Sequence, residues 1–349
     1  MTNSHATAQA LKRVRRDSDV SEATSVYTSV TIPKRTRDAV YWYKDGNIIL
    51  VARNVDFRVF RGILADHSPV FDAMLSLPQP VEFAPSVGNP NALVGVFCPV
   101  LQLSDSPEDL RHILRMCIPK NGFSPYTFEA PSYDMVSAVT RLGHKYQMSK
   151  LIDSALGYLK RFYTDKLDVW EKGRSYNIPG FAPSHPIGVV NLARLVDEPS
   201  LLPTALLQCC SLGADIVKGF TREDGTHEQL SLEDIGRCFA ARTILAERAI
   251  LMIFRAFSLP VSEQCKTPGR CAEGLHALLM DLQNRVESVS HPDIFSSLFD
   301  SDGEKDRVLE CADCDSMLRQ REKKLRREAW DLLPSIMGVQ VDGWGTSVL

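Results

Sequence analysis

The chain has 349 residues, 44% hydrophobic and 24% charged, an ordinary globular mix that points to two domains and a sizeable core. Its formal net charge of −3 argues against whole-chain affinity for nucleic acid. It lacks an apolar run of the ~18 residues that a membrane-spanning helix needs.

The first twenty residues, MTNSHATAQALKRVRRDSDV, have no apolar signal segment, so an intracellular chain in the nucleus or cytoplasm is expected. Nine cysteines in such a setting are expected as reduced thiols, with or without a metal. Residues 1–37 are rich in Ser, Thr and basic side chains and show no apolar period, which predicts a disordered basic tail. Lys12-Arg13-Val14-Arg15-Arg16, with Lys34, Arg35 and Arg37 behind it, reads either as a nuclear-import signal or as a solvated tail.

Order is expected from Asp38. Tyr41-Trp42-Tyr43 precedes the turn dipeptide Asp45-Gly46, and these three rings either form an interface or cap the chain's own core. Asn47–Ala52 (NIILVA) is an apolar run of strand length, consistent with burial on both faces. Phe57 and Val59 alternate with Arg58 as in a half-buried strand, and the two strands are expected to pair as a hairpin. Ile63 and Leu64 open a short helix. Ser68-Pro69 then starts another: the serine caps free amides and proline fits the first helical turn. Val70, Phe71, Met74 and Leu75 follow on one face. Four prolines in residues 78–97 predict an inserted surface loop. Val100–Leu103 resumes as a strand, and Ser104–Asp109 caps a helix bearing Leu110, Ile113, Leu114 and Cys117. After a second loop, Pro119–Pro131, helical spacing returns at Met135, Val136, Val139, Leu142 and Tyr146. It continues at Leu151, Ile152, Ala155, Leu156 and Leu159.

The segments DGNIILVA, FRVFRGILADHSPVFDAML, VLQLSDSPEDLRHILRMC and VSAVTRLGHKYQMSKLIDSALGYL together resemble a BTB/POZ domain over residues 38–163. The variety most similar is that of mushroom-forming (basidiomycete) fungi. The order of strand pair, helical hairpin, strand, helix and helical hairpin is the family's order. Phe60 departs from the histidine usual at that position, so a polar contact there is not expected. The resemblance implies an α+β fold with a small mixed sheet flanked by helices. It also implies a non-enzymatic protein–protein interaction role, often as a homodimer, with some relatives serving as substrate adaptors on a cullin of a ubiquitin ligase.

Residues 164–185 carry several glycines and prolines and read as a linker. Residues 186–337 read as a mainly α-helical domain, which in the family serves as a spacer or partner platform. Ile187, Val190, Leu192, Leu195 and Val196 mark one helix, and Leu201–Leu207 continues it. Leu232, Ile235, Phe239, Ile244, Ala249, Ile250, Ile253, Phe254 and Phe257 mark the apolar face of two long helices or one bent one. Residues 338–349, with Trp344, form a tail that packs loosely.

Cys265 and Cys271 are separated by five residues, Cys311 and Cys314 by two. Four thiolates suit a tetrahedral structural zinc site, with His276 and His291 as spare ligands. Buried apolar thiols and a redox CxxC are the other readings, the last without its usual βαβ setting. Cys98, Cys117, Cys209, Cys210 and Cys238 fall in apolar patterns and are expected in the core. Arg319–Glu328 (RQREKKLRRE) has six basic and two acidic residues. It reads as a solvated amphipathic helix face or, in a nuclear transcription-associated factor, as a nucleic-acid contact. No phosphate loop, nucleophile elbow, HExxH helix or dinucleotide turn is present in the sequence, which lowers the expectation of an enzyme.

Overall fold

The computed structural model describes residues 35–85, 95–119, 131–173, 178–258, 260–284, 291–299 and 309–345. The basic cluster Lys12–Arg16, Lys34, most of the second proline-rich loop and the last four residues lie outside them.

Five strands form a mixed sheet: β1 (Thr36–Trp42), β2 (Ile48–Ala52), β3 (Val55–Val59), β4 (Val81–Pro85) and β5 (Gly95–Leu103), in the order β1-β3-β2-β5-β4. β2 and β3 make the expected hairpin, Ile48 opposite Val59 and Ala52 opposite Val55, around a tight turn with Arg53 at φ 51°. The uninterrupted apolarity of β2 has its reason in the two faces it covers. Ile48, Leu50 and Ala52 enter the main core, while Ile49 and Val51 join Cys98 and Val100 on the other side. β2 also pairs in parallel with β5, Ile49 opposite Val100. A parallel partner requires a crossover. It is supplied by α1 (Arg61–His67) and α2 (Pro69–Ser76), with the β4 strand following them. Ser68 caps α2 as expected, accepting from the Phe71 amide at 3.0 Å. Its hydroxyl also donates to the Tyr146 carbonyl at 2.6 Å, which ties α2 to a later helical pair.

That pair is α4 (Tyr133–Lys145) and α5 (Ser149–Leu159), preceded by α3 (Pro107–Cys117); Ser106 and Ser132 cap α3 and α4. Beyond them come α6 (Leu167–Gly173), α7 (Pro186–Leu195), α8 (Leu202–Cys210), the two-stranded β6 (Phe220–Thr221) and β7 (His227–Glu228), and α9 (Leu232–Ala256). The chain ends with α10 (Pro268–Asn284), α11 (Ala312–Asp331) and α12 (Leu333–Ile336).

Several expectations need correction. β3 is buried throughout rather than half-buried: Arg58 sits inside because its Nε donates to the Gly46 carbonyl at 2.8 Å. Residues 78–97 are not only a loop, since β4 and the start of β5 pair antiparallel from Val81–Pro99 to Pro85–Gly95. Proline fits here because β4 is the edge strand. The tail does not run to residue 37. Arg35 pairs with Asp56 at 3.0 Å and with Glu82, and Arg37 lies over the Trp42 ring at 4.5 Å. The linker of residues 164–185 holds α6, whose Trp170 is buried and meets the Trp330 ring at 5.8 Å. Arg35–Leu349 form one compact unit, and one hydrophobic cluster runs from Tyr41 to Met337.

The β6–β7 hairpin stitches the two expected domains together. Arg141 meets Glu228 at 2.5 Å, His112 meets Glu223 at 2.8 Å, and Arg222 meets Asp109 at 3.3 Å. The Tyr133 ring stacks on His185 at 4.1 Å and meets Phe220 edge-on at 5.4 Å. Gly188 makes this approach feasible: a Cβ there would lie 1.8 Å from Tyr133 Oη.

α9 is one continuous helix, and it buries the expected face only in part: Ala249 and Phe257 are buried, and Ile235, Ile244 and Ile253 pack on the core. Cys238, Ala241, Leu245, Ala249, Met252 and Ala256 face inward, whereas Leu232, Phe239, Ile250 and Phe254 are exposed. Small side chains let α9 approach α8 and α11 closely, and a helix with two apolar stripes carries no sign of which one is buried.

Candidate metal centre

Cys265, Cys271, Cys311 and Cys314 come together, their sulfurs all within 4.8 Å of one another. Cys265 Sγ lies 3.4 Å from Cys271 Sγ and 3.9 Å from Cys311 Sγ. Zinc–sulfur bonds of about 2.3 Å in a tetrahedron place the sulfurs roughly 3.8 Å apart, so the spacing is that of a closed four-thiolate cage.

Two helix starts build the cluster. Cys271 lies in the first turn of α10, its amide donating to the Thr267 carbonyl at 3.1 Å. Cys311 is the residue before α11, and Cys314 lies in that helix's first turn. The two-residue gap thus puts both sulfurs at one helix end. The wider first gap is not closed by a Pro-Gly loop, as its composition suggested. Pro268 instead begins α10, and Cys265 sits just ahead of it in a turn whose amide donates to the Ser262 carbonyl at 3.0 Å. The Thr267 amide donates to the Cys265 sulfur and the Ser262 amide to that of Cys314, which favours thiolate.

The surroundings hold this arrangement. Arg321 of α11 donates to the carbonyls of Ser258 and Pro260 at 2.6 and 2.8 Å, fixing the segment that leads to Cys265. Leu309 is buried against Gly274 of α10, where a Cβ would approach it to 3.1 Å, and its amide donates to Asp315 at 3.1 Å. Arg270 pairs with Glu310 at 2.8 Å across the two helix starts. His276 and His291 are exposed and stand outside the group.

The four thiols do not titrate alike. At Cys265, burial opposes ionisation, but the Thr267 amide and hydrogen bonds from the other three cysteines outweigh it and lower the pKa. Cys271 is raised; the Thr267 hydroxyl, 3.7 Å away, pulls it down, while burial and Cys265 push harder upward. Cys314 is pushed up to about 12 by burial, against the Ser262 amide and with the other three thiols adding to the rise. One thiolate is easy here and further ones repel it. A divalent cation removes that repulsion by displacing the remaining protons.

The other five cysteines are buried as expected, and burial raises Cys117 to about 12. The aromatic triplet is used internally. Tyr41 is buried in the main core, Tyr43 packs on it with its ring 5.0 Å from Phe60, and Trp42 packs on Ile49, Val51, Cys98 and Val100. Of the expected interface residues Tyr41, Trp42 and Tyr43, the first is thus in the core, while the other two are half-buried against it. Part of the basic run on α11 is engaged within the chain. Arg326 pairs with Glu171 at 2.9 Å, Arg327 with Asp168 at 3.2 Å and Arg319 with Asp315 at 3.1 Å. Lys323 and Lys324 of the same run are exposed. The Ser262 and Thr267 amides and the Arg321 clamp left no mark in the sequence, because backbone donors have no residue signature.

No protein-family profile, curated protein or solved structure matches the chain. Among the described residues, no helix is long and apolar enough to cross a membrane.

Proposed function

We propose that this chain is a non-enzymatic protein-interaction scaffold of the BTB/POZ type, with its C-terminal corner pinned by a structural zinc ion on Cys265, Cys271, Cys311 and Cys314. The carrying observation is the four-sulfur cluster, drawn from two segments forty residues apart in sequence yet within 4.8 Å in space. The interaction role is supported by the element order β2–β3, α1–α2, β5, α3, α4–α5, which is the order the family resemblance implies.

Zinc in such a cage is a fold element. It has no open position for water, and its role is to join α10 to α11. Metal analysis of the purified full chain tests this part: one zinc per chain is expected, and less than about a tenth of an equivalent rules out a site that should bind tightly. Light scattering across a concentration series, with affinity purification and partner identification, tests the rest. A chain that stays monomeric and brings down no specific protein sinks the scaffold reading.

A further inference from the structure

We propose that the same cluster is a peroxide-responsive latch, in which oxidation joins Cys265 to Cys271 as a disulfide and releases the metal. The inference rests on the zinc reading above and adds regulation to it.

The four sulfurs are unequal in access. Cys265 and Cys311 are half-buried, whereas Cys271 is 6% exposed and Cys314 fully buried. A small oxidant therefore meets Cys265 or Cys311 first. Cys265 has the nearer partner, with Cys271 Sγ at 3.4 Å against 3.9 Å between Cys265 and Cys311. Cys265 also lies in a turn outside any helix, so its sulfur can shift without unwinding a helical turn, unlike Cys314 inside α11. Away from the cluster, Cys98, Cys117, Cys209, Cys210 and Cys238 are each at most 5% exposed and lie inside the core. Sulfur oxidation follows access as well as thiolate character.

The step balances with hydrogen peroxide as the oxidant. Cys265 sulfur attacks one peroxide oxygen; an S–O bond forms, the O–O bond breaks, and the departing hydroxide takes a proton to leave as water. The sulfur is now a sulfenic acid, oxidised by two electrons. Cys271 thiolate then attacks Cys265 sulfur; the S–S bond forms, the S–O bond breaks, and the departing hydroxide takes a proton from solvent to leave as a second water. Two of four donors are lost, and Cys311 and Cys314 alone do not make a closed site. Freed of its metal, α10 keeps Leu275 and Leu282 as its buried anchors. A thiol reductant reverses the S–S bond and restores the cage.

The test uses the full chain loaded with zinc, titrated with hydrogen peroxide. Zinc release is followed by a chromophoric chelator and thiols by alkylation and peptide mass spectrometry. One zinc should leave for each two thiols lost, with the Cys265 and Cys271 peptides joined, and reductant should restore binding. Cys265 should react at least about tenfold faster than Cys98 or Cys209, as its greater access dictates. A Cys117→Ser variant, altered away from the cluster, should behave the same. Joining of any other pair, or zinc retained with all four thiols intact, overturns the latch. A chain that takes up no zinc sinks the metal reading and the latch together. A chain that holds zinc but forms no Cys265–Cys271 bond sinks the latch alone.

Discussion

The sheet end and the cysteine corner are held together by different means. Around the sheet, β2 and β3 are buried from end to end and Leu50, Phe57, Val59, Leu64 and Phe71 have no exposed surface. At the corner, α10 runs for 17 residues yet buries Cys271, Leu275 and Leu282 alone among its described side chains. A helix with so little apolar burial needs another source of order. The lesson is that one chain combines a region stable through packing with one whose packing is sparse, where the proposed zinc cage would supply the missing order.

Stripping the metal should break this contrast most sharply. A structural zinc contributes on the order of 10 kcal/mol of binding free energy that is also folding energy. Chelation, or Cys314→Ala, should expose α10 and the segment before it to rapid hydrogen exchange while β2 and β3 stay protected. Uniform loss of protection across both regions would show that they are not separable. Phe57→Ala attacks the other side. It should cost about 3–5 kcal/mol in denaturant unfolding while leaving the metal content of the folded fraction unchanged.

A smaller effect sits between the regions, at Asp234, where α9 begins. Burial raises this carboxyl, but bonds from Arg194, Arg237 and Ser231 more than offset it, so its pKa lies below the ordinary 3.8. The ionised form therefore contributes stability that is present above pH 3.8 and lost as pH falls through the lowered folded value. The stability gap between wild type and Asp234→Asn, measured by thermal unfolding, should shrink as pH drops below 3.8. A gap that widens instead would contradict the sign. The smallest change expected is Ser68→Ala, at about 1 kcal/mol for the lost cap, with the lost bond to Tyr146 adding to it.

What could be read from the residues was local chemistry. Ser68-Pro69 and Ser106-Pro107 announce helix starts because a hydroxyl and a missing N–H act on their immediate neighbours. NIILVA announces a strand covered on both sides because no polar residue interrupts it. The CxxC pair announces two neighbouring sulfurs because its spacing is short enough to fix geometry by itself. What stayed hidden depends on distant partners. Arg58 looks like a solvent-facing residue until Gly46 offers it a carbonyl. The glycines and prolines of residues 164–185 suggest a linker until Trp330 arrives to cover Trp170. Part of the inward stripe of α9, Cys238, Ala241, Leu245 and Ala256, stays hidden because small side chains are weak hydrophobic signals and the exposed Phe239 and Phe254 strong ones.

Trp330 carries a consequence for how the molecule comes into being. Its indole nitrogen donates to the carbonyl of Asp165 at 2.9 Å, from 165 residues further along, and Trp344 stacks on it from beyond. At ribosomal rates of about 5–20 residues per second, roughly ten to thirty seconds separate the two halves of that contact. Through that interval the nascent chain shows a greasy flank with nothing yet made to cover it, an opening for chaperones to attend.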